Sequence, residues 1–161
     1  ACSRLDKMVN ITNDPSILSS AGSLARDCGN FEQSLVIFKN IEDKAPHFRL
    51  WFKKDYAWTF LISQYMEKID NFDEAKFFIN NQLDKQFKED GINEMWLIML
   101  AYIASVEGDT DKAKYYFNEQ TKMTNPINFI WSNKYPDILD ENPAFRQSFF
   151  SELEKLGLKL K

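Results

Sequence analysis

A chain of 161 residues that is 44% hydrophobic and 15% aromatic, with five Gly and five Pro, can build one domain with a sizeable core and is too apolar for disorder. Its 20 basic and 24 acidic residues are interspersed to a net charge of -4, with no Lys/Arg block that would serve as a phosphate-binding footprint, which argues against direct nucleic-acid binding. No window reaches about 18 consecutive apolar residues, and the run Trp96 to Leu100 lies in a stretch far too short to cross a bilayer.

Residues 1–14 read as an N-terminal lead. Cys2 and Cys28 are the only cysteines, too few for a disulfide framework and without the paired spacing of a zinc site. Cys28 therefore reads as a structural thiol, and the pair fits a reducing cytoplasm. The first residue is Ala1, not Met, which suggests a processed product or a piece of something longer. An alternative is a bacterial envelope lipoprotein anchored through Cys2. Asn10-Ile11-Thr12 is a glycosylation triplet only in a secreted eukaryotic chain.

From residue 15 the chain alternates helical periods with one recurring turn. Asp14 is placed to cap a first helix, and Pro15 stands at its first position, where a missing N–H costs nothing. The turn Cys28-Gly29-Asn30 leads into a second helix whose Phe31, Leu35, Phe38 and Ile41 recur at steps of three and four. A second hairpin runs from about Pro46 to the turn Asp70-Asn71, then through Phe72, Ala75, Ile79, Leu83 and Phe87. The third uses Glu94 to Glu107, the turn Gly108-Asp109, and a helix from Thr110 to about Lys122. Gly or Asn ends a helix cheaply in the left-handed conformation, and the Asn or Asp beside it caps the next. Four positions into each second helix stands a small residue, Ser34, Ala75 or Ala113, and four later a bulky one, Phe38, Ile79 or Phe117. A small side chain admits a neighbouring helix and a large one fills the groove beside it.

In these turns and pairs the chain resembles the tetratricopeptide repeat (TPR) family. That family also places a small residue midway along the first helix, matched here by Gly22, Ser63 and Ala101, and a Pro after the second, matched by Pro46 and, one residue late, Pro126. The aromatic expected near the end of the first helix is replaced by Ala25, Met66 and Ala104, and the extra length between units includes the aromatic-rich Phe48 to Phe52. The segment Tyr135 to Leu158 resembles the one that closes TPR regions of bacterial regulatory and signalling proteins. Asn142 as cap, Pro143 at the first position, the stripe Phe145, Phe149, Leu153 and Leu156, and the stop at Gly157 define its helix. The resemblance implies an all-α, right-handed superhelix: three degenerate hairpins over residues 15–125 and a capping segment and helix over 126–161.

Chemistry-bearing residues are few. His47, the sole histidine, has no nucleophile and orienting acid at a recognisable spacing. No phosphate-loop or zinc-protease motif occurs, and the acidic clusters Asp73-Glu74 and Asp140-Glu141 sit at helix starts, where negative charge is favourable. The expectation is no enzyme, no cofactor and no metal, but a non-enzymatic protein–protein interaction scaffold. The TPR resemblance maps a concave surface onto Ser16, Ser19 and Ser23, then Ala57, Phe60 and Gln64, then Met95, Ile98 and Tyr102. Its apolar end, Phe60, Gln64, Met95, Ile98 and Tyr102, is the expected groove for a peptide or partner segment. Two alternatives stand beside it: the chain's own tail covers Phe60, Ile98 and Tyr102, or the chain is the regulatory module of a larger bacterial transcription or signalling protein.

Overall fold

The computed structural model describes residues 2–48, 50–69, 71–84, 92–123 and 137–159, and every element among them is helical. A 3-10 turn, Cys2–Arg4, precedes α1 (Leu5–Asn10), α2 (Pro15–Asp27), α3 (Phe31–Lys44), α4 (Leu50–Glu67), α5 (Asp73–Asp84), α6 (Ile92–Val106), α7 (Thr110–Met123), α8 (Asp137–Asp140) and α9 (Pro143–Leu156). Asp70, Phe87, Pro126 and Tyr135, which the sequence places in a turn, a helix face and the approach to the cap, lie outside the described residues. No helix among the described residues is long and apolar enough to cross a membrane.

Local chemistry explains the boundaries. Asp14 accepts a hydrogen bond from the Ser16 backbone N–H at 2.8 Å and opens α2, with Pro15 behind it. At the end of α2, Gly29 adopts φ +80°, its N–H bonds Arg26 O at 2.8 Å, and the Asn30 N–H reaches Ala25 O at 2.9 Å. Asn30 then caps α3 through its side chain, which accepts from Gln33 N at 3.1 Å. The junction between α6 and α7 repeats every step. Gly108 has φ +82°, its N–H bonds Ser105 O, the Asp109 N–H reaches Ala104 O, and Asp109 accepts from Lys112 N at 3.1 Å. One residue thus completes the C-cap of one helix and the N-cap of the next, which is why the same letters recur.

Two junctions depart from expectation. α4 ends at Glu67 and the left-handed residue after it is Lys68, at φ +54°, neither Gly nor Asn; Asn71 accepts from the Asp73 N–H at 2.9 Å. Asn142 stands at the start of α9 but does not cap it. Its amide donates backwards to Ile138 O at 2.8 Å and ties α8 to α9. Gly157 ends α9 as anticipated, with φ +117°.

The chain divides into two compact units, Ala1–Glu67 and Lys68–Lys161. In the first, α2 packs on α3, α4 packs on both, and α1 packs on α2. Gly22 meets the Phe38 ring here so closely that a Cβ would stand 2.3 Å from Phe38 Cε1, and buried Ser34 donates to Gly22 O at 2.7 Å. Phe38 continues into a cluster with Phe52 at 5.5 Å and Tyr56 at 5.7 Å between ring centroids. The buried ammonium of Lys53 is held by Glu42 at 2.6 Å.

α6 is the hub of the second unit. Every residue from Glu94 to Ala104 is buried, because α5, α7 and α9 all pack against it. A helix apolar on all sides needs cover on all sides, and here the chain supplies it. α9 lies against both α6 and α7, as α4 lies against α2 and α3 in the first unit. The repeat-register residues Gly22, Ser34, Phe38, Ser63, Ala75, Ile79, Ala101, Ala113 and Phe117 are all buried.

The lead is not a bare extension. Cys2 is disulfide-bonded to Cys28, with Cα atoms 5.9 Å apart, and Leu5 is buried. The reading of Cys28 as an unpaired thiol is therefore corrected: α1 returns the N-terminus to the end of α2, where Cys28 waits. A thioether-linked lipid on Cys2 and this disulfide would compete for the same sulfur.

Candidate interaction surfaces

Helix α2 presents Ser16, Ser19 and Ser23 at steps of three and four, as the TPR resemblance implies. Ser16 is exposed, Ser19 is buried and donates to Ser16 O at 3.1 Å, and Ser23 is half-buried. What the sequence reading missed is the company Ser23 keeps. Its hydroxyl donates to Asp55 Oδ2 at 2.9 Å, and Arg26, only 9% exposed, donates to Asp55 Oδ1 at 2.6 Å. Thr59 donates to the Asp55 carbonyl at 2.7 Å. Removing one partner of such a pair leaves an uncompensated charge, so the seam ties α2 to α4 and offers no free group to a ligand. Arg26 and Asp55 stand 29 positions apart, and only the packing of α4 on α2 connects them.

Further along α4, Ala57 and Phe60 are buried, Phe60 stacks on Tyr56 at 4.7 Å, and Gln64 is half-buried. In the second unit Met95 is 9% exposed, and Ile98 and Tyr102 are 0% and 1% exposed. The Tyr102 ring lies 5.6 Å from Phe145 and 5.1 Å from Phe149, and its hydroxyl stands 3.4 Å from Ser148 Oγ. One turn on, Ser105 donates to Glu152 at 2.5 Å. Phe60, Met95, Ile98 and Tyr102 are buried, and at Tyr102 the cover is the chain's own α9.

Open surface in the second unit lies on the opposite side of α6. A cleft of about 290 Å³ runs between α5 and α7 with Leu100, Ile103 and Ala104 as its apolar floor. Lys76 and Asn80 stand on the α5 bank, Lys112 and Tyr116 on the α7 bank. Lys76 donates to both carboxylate oxygens of Glu107 at 3.0 Å and pairs with Asp73 at 3.3 Å. The hydrogen bond from Glu107 holds the Lys76 ammonium above the usual lysine range, against an opposing pull from burial, with Asp73 adding to the rise. Phe77 is 71% and Tyr115 59% exposed, each two residues after the small residue of its helix. The same register in α3 is Val36, 63% exposed.

His47 is exposed. Among the described residues no His, Cys, Asp or Glu side chains gather in a group of three or more that could hold a metal ion. No family model matches the chain, and no curated protein or solved structure shows a significant similarity to it.

Proposed function

We propose that this chain is a non-enzymatic protein-interaction scaffold: a TPR-like, right-handed superhelix of three hairpins whose C-terminal end is closed by α9, and whose ligand is a peptide or partner segment. The observation that carries the reading is the junction made twice with the same bonds, at Ala25 to Asn30 and at Ala104 to Asp109. Each joins two helices whose register residues are buried at the small and the bulky position. Repeat units of this kind bury one face against a neighbour and leave extended surfaces for partners. Selection of phage-displayed random dodecapeptides on the folded protein tests it. Recurrent sequences binding at about micromolar affinity support the scaffold, and repeated failure to enrich any sequence refutes it.

The disulfide favours a compartment other than the cytoplasm. Such bonds persist in oxidising surroundings and are rare where thiols are kept reduced. We place the working protein outside the reducing cytoplasm, with Cys2 and Cys28 bonded. Alkylation of the native protein in cell extract before and after reduction reads the state directly; two thiols reactive without reductant would return the chain to the cytoplasm.

A further inference from the structure

We propose that the Cys2–Cys28 disulfide is a redox latch. Oxidised, it holds the lead helix α1 against the first unit; reduced by a dithiol, it releases residues 2–10 while α2, α3 and α4 stay folded. The inference starts from the bond of the oxidised chain and is independent of the scaffold reading. Little besides the bond fastens the lead. Of residues 2–10, Leu5 alone is buried, Met8 and Val9 are half-buried, and the rest are exposed. The polar link from the lead to α3 is a long hydrogen bond at the surface, Gln33 Nε2 donating to Asp6 Oδ1 at 3.5 Å. A helix of six residues does not form in water by itself. Ordering the lead's backbone costs more than one buried leucine and two half-buried side chains return.

The bond also lies where a thiol can reach it. Cys2 is exposed, and Cys28 is half-buried just past the last residue of α2. Exposed disulfides exchange more readily than those sealed in a core. A thiolate of the dithiol attacks Cys2 Sγ, the bond between the two chain sulfurs breaks, and Cys28 leaves as a thiolate that takes up a proton. The second sulfur of the dithiol then attacks the mixed disulfide, closes the reductant's own ring and releases Cys2 as a thiol. Two electrons pass from the dithiol to the pair, and the chain gains two hydrogens.

Opening the latch leaves the rest of the unit its own supports. Ser34 donates to Gly22 O, Asn30 caps α3, and Arg26 pairs with Asp55, all without a residue of the lead. α3 and α4 both pack on α2, whichever state the lead is in. The first unit of a helical stack has an outer end that needs cover, and α1 is the element packed on α2 there. A cover fastened mainly by one reducible bond is removed by reduction, and the end of the first unit then lies open.

Limited trypsin digestion of the whole chain, purified without reductant and then compared with and without dithiothreitol, tests the latch. Each aliquot is quenched, fully reduced and weighed by mass spectrometry, so that a cut counts alike in both forms. Reduction is expected to speed cleavage after Arg4 and Lys7 by about tenfold or more. Cleavage after Arg26 and Lys39 should stay slow, and the far-ultraviolet spectrum should stay helical. Oxidised Leu5→Ser should still be cut after Lys7 more slowly than the reduced parent, since the bond and not the leucine carries the hold. Equal rates in the oxidised and reduced parent overturn the latch and leave the compartment reading standing. So does general cleavage with loss of helix on reduction, or oxidised Leu5→Ser cut as fast as the reduced parent. A chain purified without reductant in which both thiols already titrate overturns the latch and the compartment reading together.

Discussion

Replacing Gly22 by alanine sets two effects of opposite sign against each other. In an ordinary helix interior the change stabilises by about 0.5–1 kcal/mol, because glycine loses more backbone freedom on folding. Here the new Cβ would lie 2.3 Å from Phe38 Cε1 and 2.7 Å from Cδ1, more than an ångström inside ordinary contact. The ring has little freedom to retreat, since Phe38 is fully buried with Phe52 and Tyr56 against it. Overpacking a close-packed site costs about 1–3 kcal/mol, and a displacement of this size belongs at the upper end. The net expectation is a loss of about 2 kcal/mol, or about 4–8 °C in melting temperature for a chain of this length. Urea and thermal melts followed by circular dichroism measure it. Phe38→Leu in the Gly22→Ala background should cost less than in the parent, because the ring that clashes has gone. If Gly22→Ala melts at or above the parent, the propensity gain is all that remains, and α2 and α3 do not approach as described.

Three further outcomes are expected. Ala75→Leu and Ala113→Leu, at positions with no exposed surface, should each lose about 1–3 kcal/mol in urea melts, and parent-like stability in both would remove the small-then-bulky packing. Reducing the Cys2–Cys28 bond, which closes a separation of 26 residues, should lower stability by about 3 kcal/mol; an unchanged melt under reductant would show that the bond is not formed. At Glu152, burial pushes the carboxyl up, but the Lys155 and Ser105 hydrogen bonds outweigh it and hold the group below the ordinary 4.5. A depressed folded value gives stability that is present above pH 4.5 and lost as pH falls through the folded value, so Glu152→Gln should flatten the acid limb of the stability profile, and an unchanged limb would contradict the contact.

Much of the fold was legible because it is written locally. Asp14, Asn30, Asp109 and Gly157 act within a turn of their own helices, so their chemistry can be read without knowing what lies across the core. The small and bulky positions were legible for the same reason, since one helical period sets them. Contacts between distant segments were not. Nothing in the letters pairs Cys2 with Cys28 until α1 folds back along α2, and a six-residue helix carries too little periodic signal to announce itself. Arg26 and Asp55 likewise look like ordinary surface charges until α4 packs on α2. Asn142 misleads because an Asn before Pro at a helix start is the standard cap, whereas the nearby end of α8 offers its amide a carbonyl. The two-sided apolar pattern of α6 was readable, but periodicity does not say whether the second side meets a partner or the chain's own tail.

Tyr102 decides that question. The ring is 1% exposed and packed on Phe145 and Phe149, so truncating it removes core. The most direct measurement is the urea midpoint of Tyr102→Ala beside the parent, with the slope checked for constancy. If α9 closes the second unit, the variant should lose about 3–5 kcal/mol, as buried aromatic truncations do, and peptides selected on the parent should still bind the fraction that remains folded. A variant as stable as the parent that no longer binds those peptides would contradict the account and place the partner where α9 now lies.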